Sequence, residues 1–131
     1  MQTRAQFPGR ILVVDDEIVV KELLARVLGG AGHEVTAVSD GEEALRELAG
    51  ARFDLLIVDK NLPGIGGLEV MRMVRAHQPH LRAILVTAFP TKESEQEAKE
   101  LGVHAYVVKP FGIVAMIETV DDAIRAGRES R

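Results

Sequence analysis

Five short apolar runs recur along this chain: "ILVV" (Ile11–Val14), "HEVTAV" (His33–Val38), "FDLLIV" (Phe53–Val58), "LRAILVT" (Leu81–Thr87) and "HAYVV" (His104–Val108). Each has the length of one strand, and most are nearly unbroken runs of Val, Ile and Leu, as in strands buried on both faces. Between them lie stretches of helical period. Val20, Leu23, Leu24, Val27 and Leu28 fall on one helical face, and Gly29, Gly30 and Gly32 follow as stop signals. Ser39 and Asp40, with Glu42 and Glu43 three residues after each, form overlapping capping boxes for a second helix reaching Leu48. A third helix is expected over Leu68–His77, ended by Pro79, and a fourth over Lys92–Leu101, stopped by Gly102. Apolar residues at 113, 114, 116, 117, 120, 123 and 124 make the last helix, Ile113–Ala126, amphipathic.

Strands alternating with helices build a parallel sheet covered on both faces, which is the α/β class. Right-handed crossovers leave few arrangements for five such units. The expected one is a doubly wound five-stranded parallel sheet of order 2-1-3-4-5, flavodoxin-like. Its crevice lies beyond the carboxyl ends of strands one and three, where the winding reverses. A length of 131 residues suits one domain. Residues 1–9 read as a lead-in, 10–127 as the domain and 128–131 as a tail or the start of a linker. Three function classes recede. A formal charge of −4 without a dense Lys/Arg stripe argues against a nucleic-acid surface. No apolar run is long enough to span a bilayer, and no signal peptide opens the chain. The absence of cysteine removes disulfides and thiolate metal sites, and agrees with a cytoplasmic location.

The residues at the strand ends are not ones a core requires. Strand one ends in Asp15–Asp16, strand three in Asp59, strand four in Thr87 and strand five in Lys109–Pro110. Singly, each has an ordinary explanation, since Asp begins turns and caps helices while a terminal Thr or Lys faces water. Together they put three acids, a hydroxyl and an ammonium at one end of one sheet. Carboxylates brought so close repel, and a divalent cation is the simplest compensation. Oxygen ligands without Cys or a nearby His favour Mg²⁺ or Mn²⁺. Lys109 precedes Pro110, where a cis peptide is feasible and would turn the chain sharply.

In this order and spacing, "ILVVDDE", "LLIVDKNLPGIGGLEV", "ILVTAF" and "AYVVKPF" resemble the receiver domain of two-component response regulators, of the chemotaxis-regulator kind, over Ile11–Ala126. The resemblance implies that Asp59 accepts a phosphoryl group from a sensor histidine kinase or phosphotransfer protein. It implies that Asp16 ligates the metal directly and Asp15 mostly through water, with Asp59 and the main-chain carbonyl of Asn61 completing the set. Lys109 would clamp phosphoryl oxygens, and the Thr87 hydroxyl and Ala88 amide would bind another. Thr87 and Tyr106 would form the switch, altering a face of helix four, strand five and helix five that serves an effector or a second copy of the chain. Such a domain catalyses only its own phosphorylation and dephosphorylation. A pseudo-receiver, an interaction module independent of phosphorylation, would have lost an acid, the Thr or the Lys, and none is lost here. An aspartyl-phosphate phosphatase on this fold would carry a second Asp two residues after the nucleophile, where Asn61 stands.

Four positions depart from the family pattern. Lys60 is charged where an uncharged residue is usual, Gly112 stands where a helix cap is common, and Ile18 replaces a frequent proline. Phe89 places a bulky apolar group at the mouth of the crevice, a gate against water. Helix four carries only Ala98 and Leu101 as apolar residues, so it is expected to be the least stable of the five.

Overall fold

A computed structural model describes residues 4–130; the first three residues of the expected lead-in and the last of the expected tail lie outside the described residues. The elements run β1 (Arg10–Val14), α1 (Ile18–Gly30), β2 (Glu34–Val38), α2 (Gly41–Gly50), β3 (Leu55–Asp59), α3 (Gly67–His77), β4 (Arg82–Thr87), α4 (Lys92–Glu100), β5 (Ala105–Val108) and α5 (Ile113–Glu129). All strand pairs are parallel, in the order β2-β1-β3-β4-β5. The expected fold is the observed one.

Strand pleating sorts the core into two layers, because successive side chains leave a strand on opposite faces. Leu12, Val14, Leu56, Val58, Ala83 and Leu85 face α2, α3 and α4, packing on Ala44, Leu48, Val70, Met71, Val74 and Ala98. Ile11, Val13, Leu55, Ile57, Ile84 and Val86 face α1 and α5, packing on Leu24, Leu28, Met116, Val120, Ala123 and Ile124. Two residues expected on apolar faces point to water instead: Leu23 is 41% and Val114 67% exposed.

Several ends differ from expectation for local reasons. The helix α1 runs through Gly29 and Gly30 and is capped at Ala31. Its terminator is Gly32, whose φ of +108° lies where residues with a Cβ rarely go. At α2 the cap is Asp40, which accepts the Glu43 N–H, whereas the Ser39 hydroxyl accepts from Lys21 Nζ at 2.6 Å. The last helix continues to Glu129, through the start of the expected tail. The lead-in is also more tied down than an aperiodic segment suggests. Ala5 N–H donates to the Ala31 carbonyl, Gly9 N–H to His33 Nδ1, and the Pro8 carbonyl accepts from Arg128.

Register aligns the strand tips. Val14 sits opposite Val58, so Asp15 and Asp59 come next on adjacent strands. Thr87 sits opposite Val108, so Lys109 follows directly beyond it. Gly67 lets α3 begin against the tip of β3, because a Cβ there would lie 2.2 Å from the Asp59 carbonyl oxygen. Any side chain at 67 would push helix and strand apart.

Candidate functional site

At the carboxyl edge of the sheet Asp15, Asp59 and Thr87 are all buried, though all are polar. Polar groups out of water need partners. For the acids, the main partner is Lys109. Its Nζ donates to Asp59 Oδ2 at 2.6 Å and Glu17 Oε1 at 2.6 Å, and lies 2.9 Å from Asp15 Oδ2. An ammonium has three donors, and here each faces a carboxylate. The other oxygens of the two buried acids are met by main chain: Asp59 Oδ1 accepts Asn61 N–H at 2.8 Å, and Asp15 Oδ1 accepts Glu17 N–H at 2.9 Å. The Lys109–Pro110 peptide is cis.

The electrostatics are uneven. Burial opposes the charge on Lys109, but its hydrogen bonds to Asp59, Glu17 and Asp15 outweigh it and hold the ammonium well above its ordinary range. For Asp15 the charged form is the disfavoured one: burial raises its pKa, helped by the charge of Asp59, against the lowering effect of the Glu17 N–H and Lys109. One cation therefore faces three acids. Oxygens of Asp15, Glu17 and Asp59 lie within 4.8 Å of one another, a hard, oxygen-only donor set that fits Mg²⁺ or Mn²⁺.

Of the expected metal ligands, Asp15 and Asp59 are gathered, while the Asp16 side chain is exposed and outside this acidic group. Glu17 joins instead. Sequence reasoning passed over it, although it is the third acid of "DDE". Thr87 Oγ1 donates to Asn61 Oδ1 at 3.0 Å and accepts Phe89 N–H at 2.9 Å. Neither partner is Asp59. Ala88 is exposed on the same loop. Phe89 is 67% exposed, and its carbonyl accepts from Lys60 Nζ at 2.6 Å. Tyr106 is half-buried, with its hydroxyl 2.7 Å from Ser94 Oγ and 3.3 Å from the Thr91 N–H at the start of α4. A concavity of about 650 Å³ opens at the opposite pole, lined by Arg52, Arg75, Arg82 and Arg128 among others. It is remote from this chemistry, so size alone does not locate the site.

Among the described residues no helix is long and apolar enough to cross a membrane. Residues 11–121 match the family model described as response regulator receiver domain. Response regulator protein FleR of Pseudomonas aeruginosa is 37% identical over 112 residues, covering 86% of this chain but 24% of FleR. Chemotaxis protein CheY of the same organism is 36% identical over 115 residues, covering 86% of this chain and 93% of CheY. Thus the chain spans about a quarter of one relative and nearly all of the other. The crystal structure of response regulator protein TrrA from Thermotoga maritima, in complex with Mg(2+)-BeF, is similar with a TM-score of 0.79 and 38% identity, covering 87% of this chain and 97% of that one.

Proposed function

The chain belongs to the family of response regulator receiver domains, and from that premise we propose that Asp59 accepts a phosphoryl group from the phosphohistidine of a sensor kinase or phosphotransfer protein. The observation that carries this reading is Lys109 Nζ seated 2.6 Å from Asp59 Oδ2, between two further acids, at a buried strand tip. A core has no use for such a group. It suits a carboxylate that must gain and lose a charged substituent.

Phosphoryl transfer asks for positioning and neutralisation more than covalent help. The P–O bond to Asp59 forms as the P–N bond breaks, and its electron pair leaves with the imidazole nitrogen. Asp59 attacks as a carboxylate, so no separate base is required. The Asn61 N–H and Lys109 hold the carboxylate in place. Lys109 then turns part of its donor set to the phosphoryl oxygens. Thr87 exchanges its bond to Asn61 for one to the phosphoryl group, beside the Ala88 amide. As the resemblance implies, Asp15, Asp16, Asp59 and the Asn61 carbonyl would hold Mg²⁺ or Mn²⁺, which when bound would help to neutralise the developing charge. Glu17 could add a further oxygen to that set. Phe89, exposed beside Thr87, covers the path of hydrolytic water, so Phe89→Ala should shorten the phosphoryl half-life; an equal or longer one removes the gate.

Movement of Thr87 would draw Tyr106 from its bond with Ser94 and alter the face of α4, β5 and α5 toward an effector or a second copy. Acetyl phosphate with Mg²⁺ tests the core of this, read by intact mass. Wild type should gain one phosphoryl group and Asp59→Asn none. Equal labelling of the variant would move the acceptor elsewhere.

A further inference from the structure

We propose that Lys60 is a positioning residue that latches the resting state, holding the Phe89 loop and through it the Thr87 hydroxyl away from Asp59. This rests on the phosphoacceptor reading and adds a control to it. Lys60 directly follows Asp59, and its N–H donates to the Val86 carbonyl at 2.7 Å, which fixes its backbone beside β4. From there its ammonium crosses to the β4–α4 loop and donates to the Phe89 carbonyl at 2.6 Å. Phe89 N–H donates to Thr87 Oγ1 at 2.9 Å, Thr87 Oγ1 donates to Asn61 Oδ1 at 3.0 Å, and Asn61 adjoins Lys60 in the chain. These contacts close a ring around the mouth of the crevice. Asn61 N–H, donating to Asp59 Oδ1 at 2.8 Å, ties the ring to the acceptor itself.

A hydroxyl has one proton to donate. In the resting ring Thr87 spends it on Asn61, so serving a phosphoryl oxygen on Asp59 requires that this bond break. Phe89 is attached to the same oxygen through its N–H, and Lys60 holds Phe89 from the other side. Moving Thr87 therefore loads the Lys60 bond. That bond has a charged donor and a short length, the stronger class of hydrogen bond. A ligand that binds only the released arrangement binds more weakly by whatever stabilises the latched one. An uncharged residue at 60 removes this opposition. A lysine merely trailing in water would leave binding unchanged on substitution, and a lysine that served the phosphoryl group would have the opposite effect.

The test is titration of the full chain with beryllofluoride in Mg²⁺, a phosphoryl mimic that cannot be transferred. Tyr106 is the only tyrosine and there is no tryptophan, so intrinsic fluorescence reports from the switch position. Lys60→Met and Lys60→Gln keep the stem length near that of lysine without the charge, and thermal melts check that each folds. Both should bind beryllofluoride about threefold to tenfold more tightly than wild type, while Lys60→Arg, which keeps a charged donor, should stay near wild type. Unchanged or weaker binding by the uncharged variants, with wild type binding normally, overturns the latch alone. Failure of wild type to bind beryllofluoride overturns the phosphoacceptor reading and the latch with it.

Discussion

The first and fourth helices flank the same sheet but are held to it by different physics. The first, α1, buries Leu24 and Leu28, each 1% exposed, against strand residues of the α1–α5 layer. The fourth, α4, buries only Ser94 and Ala98, with Leu101 half-buried beyond its end. Directional contacts make up the difference. Thr91 and Ser94 form a reciprocal capping box, Ser94 Oγ meets the Tyr106 hydroxyl, Arg72 pairs with Glu97, and Arg75 Nε donates to the Leu101 carbonyl at 2.7 Å. Apolar burial tolerates small displacements, whereas hydrogen bonds fail over a fraction of an ångström or one side-chain rotation. Of these contacts Tyr106 makes only those at the start of the helix, with Ser94 and the Thr91 N–H, so its departure would loosen the first turn and leave the arginine contacts in place.

The largest expected effect comes from the apolar side of the comparison. Leu24→Ala should cost about 2–5 kcal/mol of global stability, by lost burial and a residual cavity. The corresponding loss in the fourth helix, Ala98→Gly, should cost roughly 1 kcal/mol. Denaturant melts of both variants check the ranking, and equal losses would break the contrast. Next is Ser94→Ala, which removes one half of the capping box and the partner of Tyr106. It should cost about 0.5–2 kcal/mol, concentrated in faster amide exchange over α4. Loss spread evenly over the domain would make Ser94 an ordinary core residue. Smaller still is Tyr106→Phe, expected to cost about 1 kcal/mol, because the ring stays while its bond to Ser94 goes. Ser94 retains its contacts with Thr91 in that variant.

A pH series sharpens the other side. His33, just past the end of α1, is buried with its Nδ1 accepting Gly9 N–H, and burial lowers its pKa below the ordinary 6.5 against the raising effect of Asp121. A depressed folded value means the unfolded chain binds the proton more readily, so stability is present above 6.5 and falls as pH drops toward the folded value. His104, before β5, is shifted the same way by burial and by Arg82, and acts in the same window. His33→Asn should flatten part of this acid slope, leaving the share of His104. An unchanged slope would show that His33 takes no part.

The strand tips were legible in the sequence because each apolar run delivers a chemically unexpected residue at its end, and parallel winding puts those ends on one edge. What escaped depends on side-chain direction or on distant partners. Three consecutive acids, Asp15, Asp16 and Glu17, do not reveal that 15 and 17 turn toward Lys109 while 16 faces water. Lys60 finds its acceptor 29 residues away, and Ser94 and Tyr106 meet across 12, distances at which local pattern is silent. The weak apolar anchoring of α4 was readable from Ala98 and Leu101, but its polar attachment was not. At α1, three glycines offered three stops, and only the backbone at Gly32 distinguishes the one in use.

The link from Asp59 to the fourth helix is tested most directly by amide hydrogen exchange with and without phosphorylation by acetyl phosphate in Mg²⁺. In the resting chain, residues 92–100 should exchange faster than residues 18–30. On phosphorylation, Tyr106 should leave Ser94, and the first turn of α4 should exchange faster still while α1 is unchanged. Equal protection of the two helices at rest, or no response of α4 in a chain shown by mass to carry the phosphoryl group, would contradict the account.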